Sequence, residues 1–314
     1  MMPEEERVTT YSGLVRVLRE RIASYVTEGI ERARALREAV RLANEPVYVD
    51  DKLWRGSVGA ADGGSAILPF ADRDVGFISA ITVVDDGRGY RRRFRGGLIT
   101  QREDEGDGEF SDRLDIEREE MMLALAAESV EDASLLIVDG PLIPRPRYSG
   151  EYVLQLKRLT SEAERAGTAL VGFVKRPQSS FLEELKVTGL TDRAALYMVL
   201  EEGQVYPWPP RRWEERGIET LYTYIRLAPP PAAGIFRVDA PVWMGEERLF
   251  EVLRHIAATS DPVKSVPAIL SKADEEVKMS RRLVRELYRE AFELASGRVE
   301  PKLWALVTLR WGEE

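Results

Sequence analysis

Two aspartates stand where their carboxylates could act together. Asp62 follows the small and apolar run Val58-Gly-Ala-Ala, and two glycines come directly after it. Asp139 closes the continuous apolar run Leu135-Leu-Ile-Val and is followed by Gly140. Glycine allows the sharp turn that leaves a carboxylate at a strand end, although Asp-Gly is also a common hairpin pair. Two such strand ends predict a ligand site at one edge of a sheet.

The composition restricts which ligand such a site could take. The chain has no cysteine and a single histidine, His255, so thiolate zinc sites, cysteine nucleophiles and imidazole clusters are excluded. We interpret His255 as a packed structural residue. Any metal must therefore bind to oxygen ligands, which favours Mg²⁺ or Mn²⁺.

The overall composition is that of an ordinary globular protein. The chain has 314 residues, of which 44% are hydrophobic, and this is enough for one sizeable core. It shows no secretory leader and no apolar run of about 18 residues, so we expect a cytoplasmic protein. Charged residues make up 32%, the basic ones are mostly arginine, and Asn44 is the only asparagine, a balance that indicates a thermophile.

Basic residues alternate with aromatic ones in several short stretches. The net charge of −9 argues against nucleic acid, but net charge does not describe a local groove. Cations beside aromatic rings suit single-stranded nucleic acid, because cations bind its phosphates and aromatic rings stack on its bases. The candidate nucleic-acid contacts are Arg91, Arg93, Arg147, Tyr148 and Arg176. The alternative is an ordinary solvated surface.

Apolar periodicity predicts the elements that would position these residues. Residues 11–43 predict one or two amphipathic helices, which could cover the sheet, pair with a second subunit or dock a partner. The expected strands are 75–84 and 90–100, which form a meander after Asp62, then 168–174, and a late hairpin of 218–227 and 234–238. The expected helices are 111–129, 151–166, 246–258 and 267–294. The stretch 205–211 predicts a Pro/Trp-rich loop, and 303–311 predicts a final strand.

Three further residues join the candidate site. In the helix 111–129, Leu114, Met121 and Leu125 form one stripe; Glu117 borders it and Glu120 points away. Glu117 is therefore the carboxylate that we expect to face inward, with a solvated position as the alternative. Lys175 follows a buried strand, and Asp274 lies on the last helix.

The order of these elements resembles the ribonuclease H-like fold: an α/β mixed sheet flanked by helices, with N-terminal and C-terminal helical additions. More closely, the chain resembles the NurA family of DNA end-resection nucleases. The matching motifs are Ala61-Asp62-Gly-Gly-Ser, Arg113-Leu-Asp-Ile-Glu117, Ile137-Val-Asp139-Gly-Pro-Leu and Val171-Gly-Phe-Val-Lys175-Arg. Near the end, Asp274 stands where the family motif Pro-x-x-Leu-x-x-Ala-His has histidine. This departure leaves the fourth metal ligand open.

The resemblance implies a Mn²⁺- or Mg²⁺-dependent deoxyribonuclease with two ions. The implied catalytic residues are Asp62, Glu117, Asp139, Lys175 and Asp274, and the four acids among them are the implied metal ligands. It further implies a homodimer that acts as a 5′–3′ exonuclease and single-strand endonuclease with a hexameric HerA-type ATPase, in end resection and double-strand break repair. It also implies one domain over 1–314, with a helical region 1–50, a core 53–277 and a C-terminal helix and tail 278–314.

Two other functions fit parts of the pattern. Asp62-Gly-Gly-Ser and Asp139-Gly also resemble the phosphate loops of actin-like or sugar-kinase-like ATPases. An inactive scaffold is the third interpretation, although it would not require all of the acids. The chain has no G-x-x-x-x-G-K-[ST] loop, so a motor partner would have to supply translocation.

Overall fold

The computed structural model describes residues 11–69, 73–144, 146, 148–229, 234–261 and 263–278, and single positions between 284 and 293. The strands are β1 (Val47–Tyr48), β2 (Val58–Pro69), β3 (Asp74–Asp85), β4 (Tyr90–Thr100), β5 (Leu135–Asp139), β6 (Ala169–Val174), β7 (Gln204–Glu215), β8 (Ile218–Arg226) and β9 (Ile235–Pro241). The helices are α1 (Tyr11–Ala39), α2 (Asp107–Ala127), α3 (Gly150–Ala166), α4 (Asp192–Tyr197), α5 (Gly245–Thr259) and α6 (Ala268–Val277).

The nine strands form one mixed sheet in the order β1-β7-β8-β9-β6-β5-β2-β3-β4. The predicted meander β2-β3-β4 and the late hairpin β8-β9 are both present and antiparallel. Strand β5 runs parallel to both β2 and β6. With helices on both sides, this sheet confirms the predicted mixed α/β class.

The two faces of the sheet pack against different helices. Side chains alternate along a strand, so neighbours in one strand enter different cores. In β2, Ala60 packs in the core that α5 and α6 cover, and Ala61 packs in the core that α2 and α3 cover. In β5, Ile137 belongs to the first core and Leu136 to the second. This alternation decides which helix each candidate residue faces.

The prediction that strand β2 ends at Asp62 is wrong. The strand continues to Pro69 and pairs with β3 along its whole length, with Asp62 opposite Ile81. The two glycines that follow Asp62 serve close packing instead of a turn. A Cβ atom on Gly64 would lie 2.5 Å from the carbonyl oxygen of Val277, the last residue of α6. Glycine is required there because the backbone of α6 comes too close for a side chain.

The predicted loop 205–211 is also wrong, because this stretch lies within strand β7. Pairing between β7 and β8 is interrupted between Tyr206 and Arg211, and the three prolines of the stretch fall in that interval. Proline has no N–H group to donate, so it is tolerated in a strand where the hydrogen-bond ladder is already broken.

The last predicted helix, 267–294, is interrupted at Lys278 in the structure, and the described positions between 284 and 293 are helical again. Helix α6 ends at Val277, and Lys278 is extended. The hydroxyl of Ser79 donates a hydrogen bond of 3.3 Å to the Val277 carbonyl, which gives this terminal carbonyl a partner from the sheet. The predicted strand 303–311 lies outside the described residues.

The chain divides into two compact units. One comprises Met1–Glu45 and Gln178–Val199, and it contains α1 and α4. The other comprises Pro46–Pro177 and Leu200–Glu314, and it contains the whole sheet. A single domain over 1–314 with a core 53–277 stays a prediction. The predicted N-terminal helix is present as α1, but its apolar residues Ile22 and Tyr25 are exposed. None of the described helices is both long and apolar enough to cross a membrane.

Candidate metal centre

Three carboxylates converge on one ammonium group at the face of the sheet that α6 covers. Lys175 Nζ lies 2.9 Å from Asp139 Oδ2, 3.6 Å from Asp274 Oδ1 and 3.9 Å from Asp62 Oδ2. The fold explains this meeting, because Ala61 and Val138 are partners in the parallel pair β2-β5 and therefore place Asp62 beside Asp139. Strand β6 delivers Lys175 from the other side of β5, and α6 supplies Asp274.

Asp62 is the buried member of the group, with 3% of its surface exposed. Its Oδ1 accepts the N–H of Gly63 at 2.7 Å, whereas its Oδ2 is buried and has no hydrogen-bond donor among the described residues. Burial, reinforced by the negative charge of Asp139, raises the pKa of Asp62 to about 8. A carboxylate oxygen left without a donor in this way is a position that a cation would stabilise.

Lys175 supplies part of the positive charge that would stabilise the Asp62 carboxylate. Burial alone would lower its pKa, but the charges of Asp139 and Asp62 raise the pKa above its usual value, so the amine stays protonated. One ammonium among three carboxylates leaves an excess of negative charge.

The donor set fits a hard divalent cation. Carboxylate oxygens are the ligands that Mg²⁺ and Mn²⁺ prefer, and the unpartnered Asp62 Oδ2 could accept one. Within the described part of the chain, however, no three acidic or histidine side chains are already arranged as a metal site. A cation would therefore have to draw the carboxylates together.

The structure does not bring Glu117 to this cluster. Glu117 accepts a hydrogen bond of 3.0 Å from Arg113, four residues earlier on α2, and it lies on the side of the sheet opposite Asp274. The neighbouring Arg118 donates to the carbonyl of Gly63 at 3.2 Å, so α2 passes beside the residue that follows Asp62.

The prediction that Glu117 alone faces inward is wrong. Glu117 and Glu120 line the same groove of about 820 Å³, together with Met121 and Ser149. Glu120 accepts a hydrogen bond from the Ser149 hydroxyl, and burial raises its pKa. A helical wheel describes α2 alone and takes no account of the loop that carries Ser149. This loop covers the side of α2 that carries Glu120, which we expect from the wheel to be solvated.

The arginines of β4 are held by acidic neighbours. Arg91 and Arg93 both contact Asp132, at 2.9 Å each. Two others behave alike: Arg92 binds Glu276 at 2.6 Å and Arg95 binds Glu128 at 3.0 Å. All four arginines remain about half exposed, so these pairs are weak.

The other predicted nucleic-acid contacts separate into three cases. Tyr148 is 4% exposed and stacks on Tyr152 with ring centroids 4.0 Å apart, so its ring is not available to a base. Arg147 lies outside the described residues. Arg176 is exposed beside Lys175 and has no hydrogen-bond or ion-pair partner among the described residues.

Phe94 is one of the aromatic residues that lie among the arginines of β4 in the sequence. It is 63% exposed, and it pairs with Ile81, which in turn pairs with Asp62, so the three side chains form a row on one face. Alternation within β4 separates Phe94 from the arginines at 91 and 93, and this period of two was the signal available in the sequence.

Comparisons with known proteins agree with this architecture. The family model of the NurA domain matches residues 56–279. The NurA nuclease from Sulfolobus solfataricus has a similar structure, with a TM-score of 0.71 and 17% identity over 91% of this chain and 98% of that chain. A second NurA structure has a TM-score of 0.55 and 12% identity, covering 87% and 97%. A NurA structure with manganese has a TM-score of 0.54 and 10% identity, covering 90% and 99%. No curated protein sequence matches significantly.

Proposed function

The chain belongs to the NurA family, and from this premise we propose that it is a metal-dependent deoxyribonuclease, a hydrolase of phosphodiester bonds. The observation that carries the proposal is the buried Asp62 Oδ2 without a donor, beside Asp139 and Lys175. Support for the metal comes from a similarly folded NurA that was solved with manganese. The chain covers 98% of the Sulfolobus solfataricus nuclease, so the proposal concerns the whole fold.

In this proposal Asp62, Asp139 and Asp274 hold the metal, Mn²⁺ or Mg²⁺, as two ions. Bound ions of this kind supply an activated water and stabilise the leaving oxygen of the phosphodiester. Deprotonated Asp62 supplies a ligand oxygen, so metal binding must displace the proton that burial favours. Lys175 remains charged and would neutralise a phosphate oxygen of the substrate.

Glu117 as a fourth carboxylate stays a prediction. It would have to leave Arg113, a partner in a partly exposed i,i+4 pair whose contribution is small. The contact between Arg118 and Gly63 supports this role, because it keeps the adjoining turn of α2 next to the residue after Asp62.

The substrate of the proposal is single-stranded DNA and DNA ends, cleaved as a 5′–3′ exonuclease and as a single-strand endonuclease. Arg176 is a suitable phosphate contact, because it is exposed next to Lys175. The lack of a P-loop in the sequence supports a partner ATPase of the hexameric HerA type. We place the enzyme, as a homodimer, in DNA end resection and double-strand break repair by homologous recombination.

The experiment that tests the proposal offers two substrates to the same preparation. Labelled single-stranded DNA is incubated with the protein and Mn²⁺, and ATP is incubated with it separately. We expect Mn²⁺-dependent cleavage that EDTA stops, and no release of phosphate from ATP. ATP hydrolysis without DNA cleavage would favour the actin-like alternative.

A further inference from the structure

Strand β9 carries a charged pair within the interior of the protein. Every residue of this strand is buried, and this includes the charged residues Arg237 and Asp239, which are 5% and 0% exposed. Asp239 Oδ1 accepts Arg237 Nε at 2.7 Å, and Asp239 Oδ2 accepts Arg237 Nη2 at 3.0 Å. Removing two charges from water is costly, and an apolar pair of similar size often serves stability as well. Stability alone therefore does not explain the pair.

Its third hydrogen bond leads to the candidate metal centre. Asp239 Oδ2 also accepts the backbone N–H of Leu142 at 3.1 Å. Leu142 is the third residue after Asp139, and Pro141 between them has no N–H group. Asp239 therefore binds the first N–H that the chain offers after Gly140, and it is the only charged group described as a hydrogen-bond partner of the turn 140–142.

The turn lies directly against β6, the strand that leads to Lys175. Gly140 has a φ of +133°, which favours glycine, and its N–H donates to the Phe173 carbonyl at 3.1 Å. Gly172 is the pairing partner of Asp239, and a Cβ on Gly172 would lie 2.5 Å from the Gly140 carbonyl oxygen. With no side chain between them, the position of the turn and the position of β6 are set together.

From this geometry we infer that Asp239, held by Arg237, is a positioning residue for Asp139. Its charge fixes the turn 140–142 from the far side of β6, so that the Asp139 carboxylate stays 2.9 Å from Lys175. The inference rests on the proposed function, in which Asp139 is a metal ligand. Groups that orient a ligand in this way change metal affinity by about 10–100-fold when they are lost.

The test is the substitution Asp239→Asn, which keeps the shape of the side chain and removes its charge. Mn²⁺ binding is measured from the signal of free Mn²⁺ in electron paramagnetic resonance, and DNA cleavage is measured at increasing Mn²⁺. We expect Mn²⁺ affinity to fall by about 10-fold or more. Cleavage at saturating Mn²⁺ should recover most of the wild-type rate, because no ligand has been removed.

The matched control is Asp192→Asn. Asp192 is 1% exposed, and its carboxylate accepts the N–H groups of Phe181 and Leu182, which have no part in the candidate metal centre. This variant should lower the melting temperature and leave Mn²⁺ affinity unchanged. The double variant Arg237→Met with Asp239→Leu replaces the charge pair by apolar side chains, so it guards against misfolding from an unpaired Arg237. It should show the same loss of affinity.

Two outcomes separate this inference from the proposed function. If Asp239→Asn melts earlier but binds Mn²⁺ like the wild type, the pair is only structural and the inference is overturned. If the wild-type protein itself neither binds Mn²⁺ nor cleaves DNA, the proposed function fails. A wild type that cleaves, combined with weaker Mn²⁺ binding in both Asp239 variants, supports the inference.

Discussion

At the scale of single residues, the candidate site lowers the stability of the folded protein at neutral pH. Asp62 is buried with one unpartnered oxygen, and its pKa is raised to about 8. In the unfolded chain the same group titrates near its ordinary value of 3.8. Between these pKa values the unfolded state binds fewer protons than the folded state, so the folded state loses stability as the pH rises.

The substitution Asp62→Asn removes this cost. Without metal, we expect its melting temperature to exceed that of the wild type by a difference that grows from about pH 4 and levels off above about pH 8. Each kcal/mol recovered corresponds to about 1.5 °C in a protein of this length. Thermal unfolding in EDTA between pH 5 and 9 measures the difference. A gap that stays constant with pH would show that Asp62 does not titrate in this range.

Asp274 is the acid that stands in place of the family histidine. Its side chain is 46% exposed and lies 3.6 Å from Lys175, so it can move toward a cation with little hindrance. We expect Asp274→Ala to lose most Mn²⁺-dependent cleavage and much of the metal-induced rise in melting temperature. Asp274→His should keep partial activity with a preference for Mn²⁺ over Mg²⁺, because imidazole suits the softer ion. Wild-type cleavage and an unchanged metal response in Asp274→Ala would remove Asp274 from the site.

At the scale of elements, the site depends on the close approach of α6 to β2. Gly64 makes this approach possible, since a Cβ there would lie 2.5 Å from the Val277 carbonyl. Gly64→Ala should therefore displace the end of α6, destabilise the fold by about 1–3 kcal/mol and weaken cleavage through Asp274. Gly63→Ala is the control, because its Cβ would meet the flexible Arg118 side chain at 3.1 Å. Thermal unfolding and cleavage of both variants check this; equal effects would contradict it.

How much of the site could be predicted depended on how local its signals are. Asp139 was predictable as a strand end, because an apolar run of strand length stops there and Gly140 follows. The continuation of β2 beyond Asp62 could not be predicted in this way. The glycines after Asp62 allow close contacts with α2 and α6, and these helices are distant in sequence.

Asp239 left no signal that periodicity could detect. It lies within a short buried strand, and its partners are Arg237 and the turn that follows Asp139. The fold class was predictable for the opposite reason: most strands and helices carry their own apolar period.

At the scale of the whole molecule, the net charge of −9 must be reconciled with binding DNA. The four arginines of β4 already contact acids, whereas Arg176 has no partner among the described residues.

Affinity for single-stranded DNA should fall with added salt, with a log–log slope of about −0.7 for each phosphate contact. Arg176→Ala should make this slope shallower by about 0.7. The double change Arg91→Ala and Arg93→Ala should make it shallower by less for each arginine removed, because each would first have to leave Asp132. Binding titrations between 50 and 200 mM salt measure these slopes, and a flat wild-type dependence would contradict phosphate binding.

The central claim is that Asp62 and Asp139 hold the metal with which this protein cleaves DNA. The most direct test is Mn²⁺-dependent cleavage of a labelled single-stranded oligonucleotide by Asp62→Asn and Asp139→Asn. The control is Glu275→Gln, which changes an exposed acid beside Asp274 whose ion-pair partner among the described residues is Lys264. We predict that both aspartate variants fold and lose cleavage by at least about 100-fold, while the control cleaves like the wild type. Wild-type cleavage by either aspartate variant would contradict the claim.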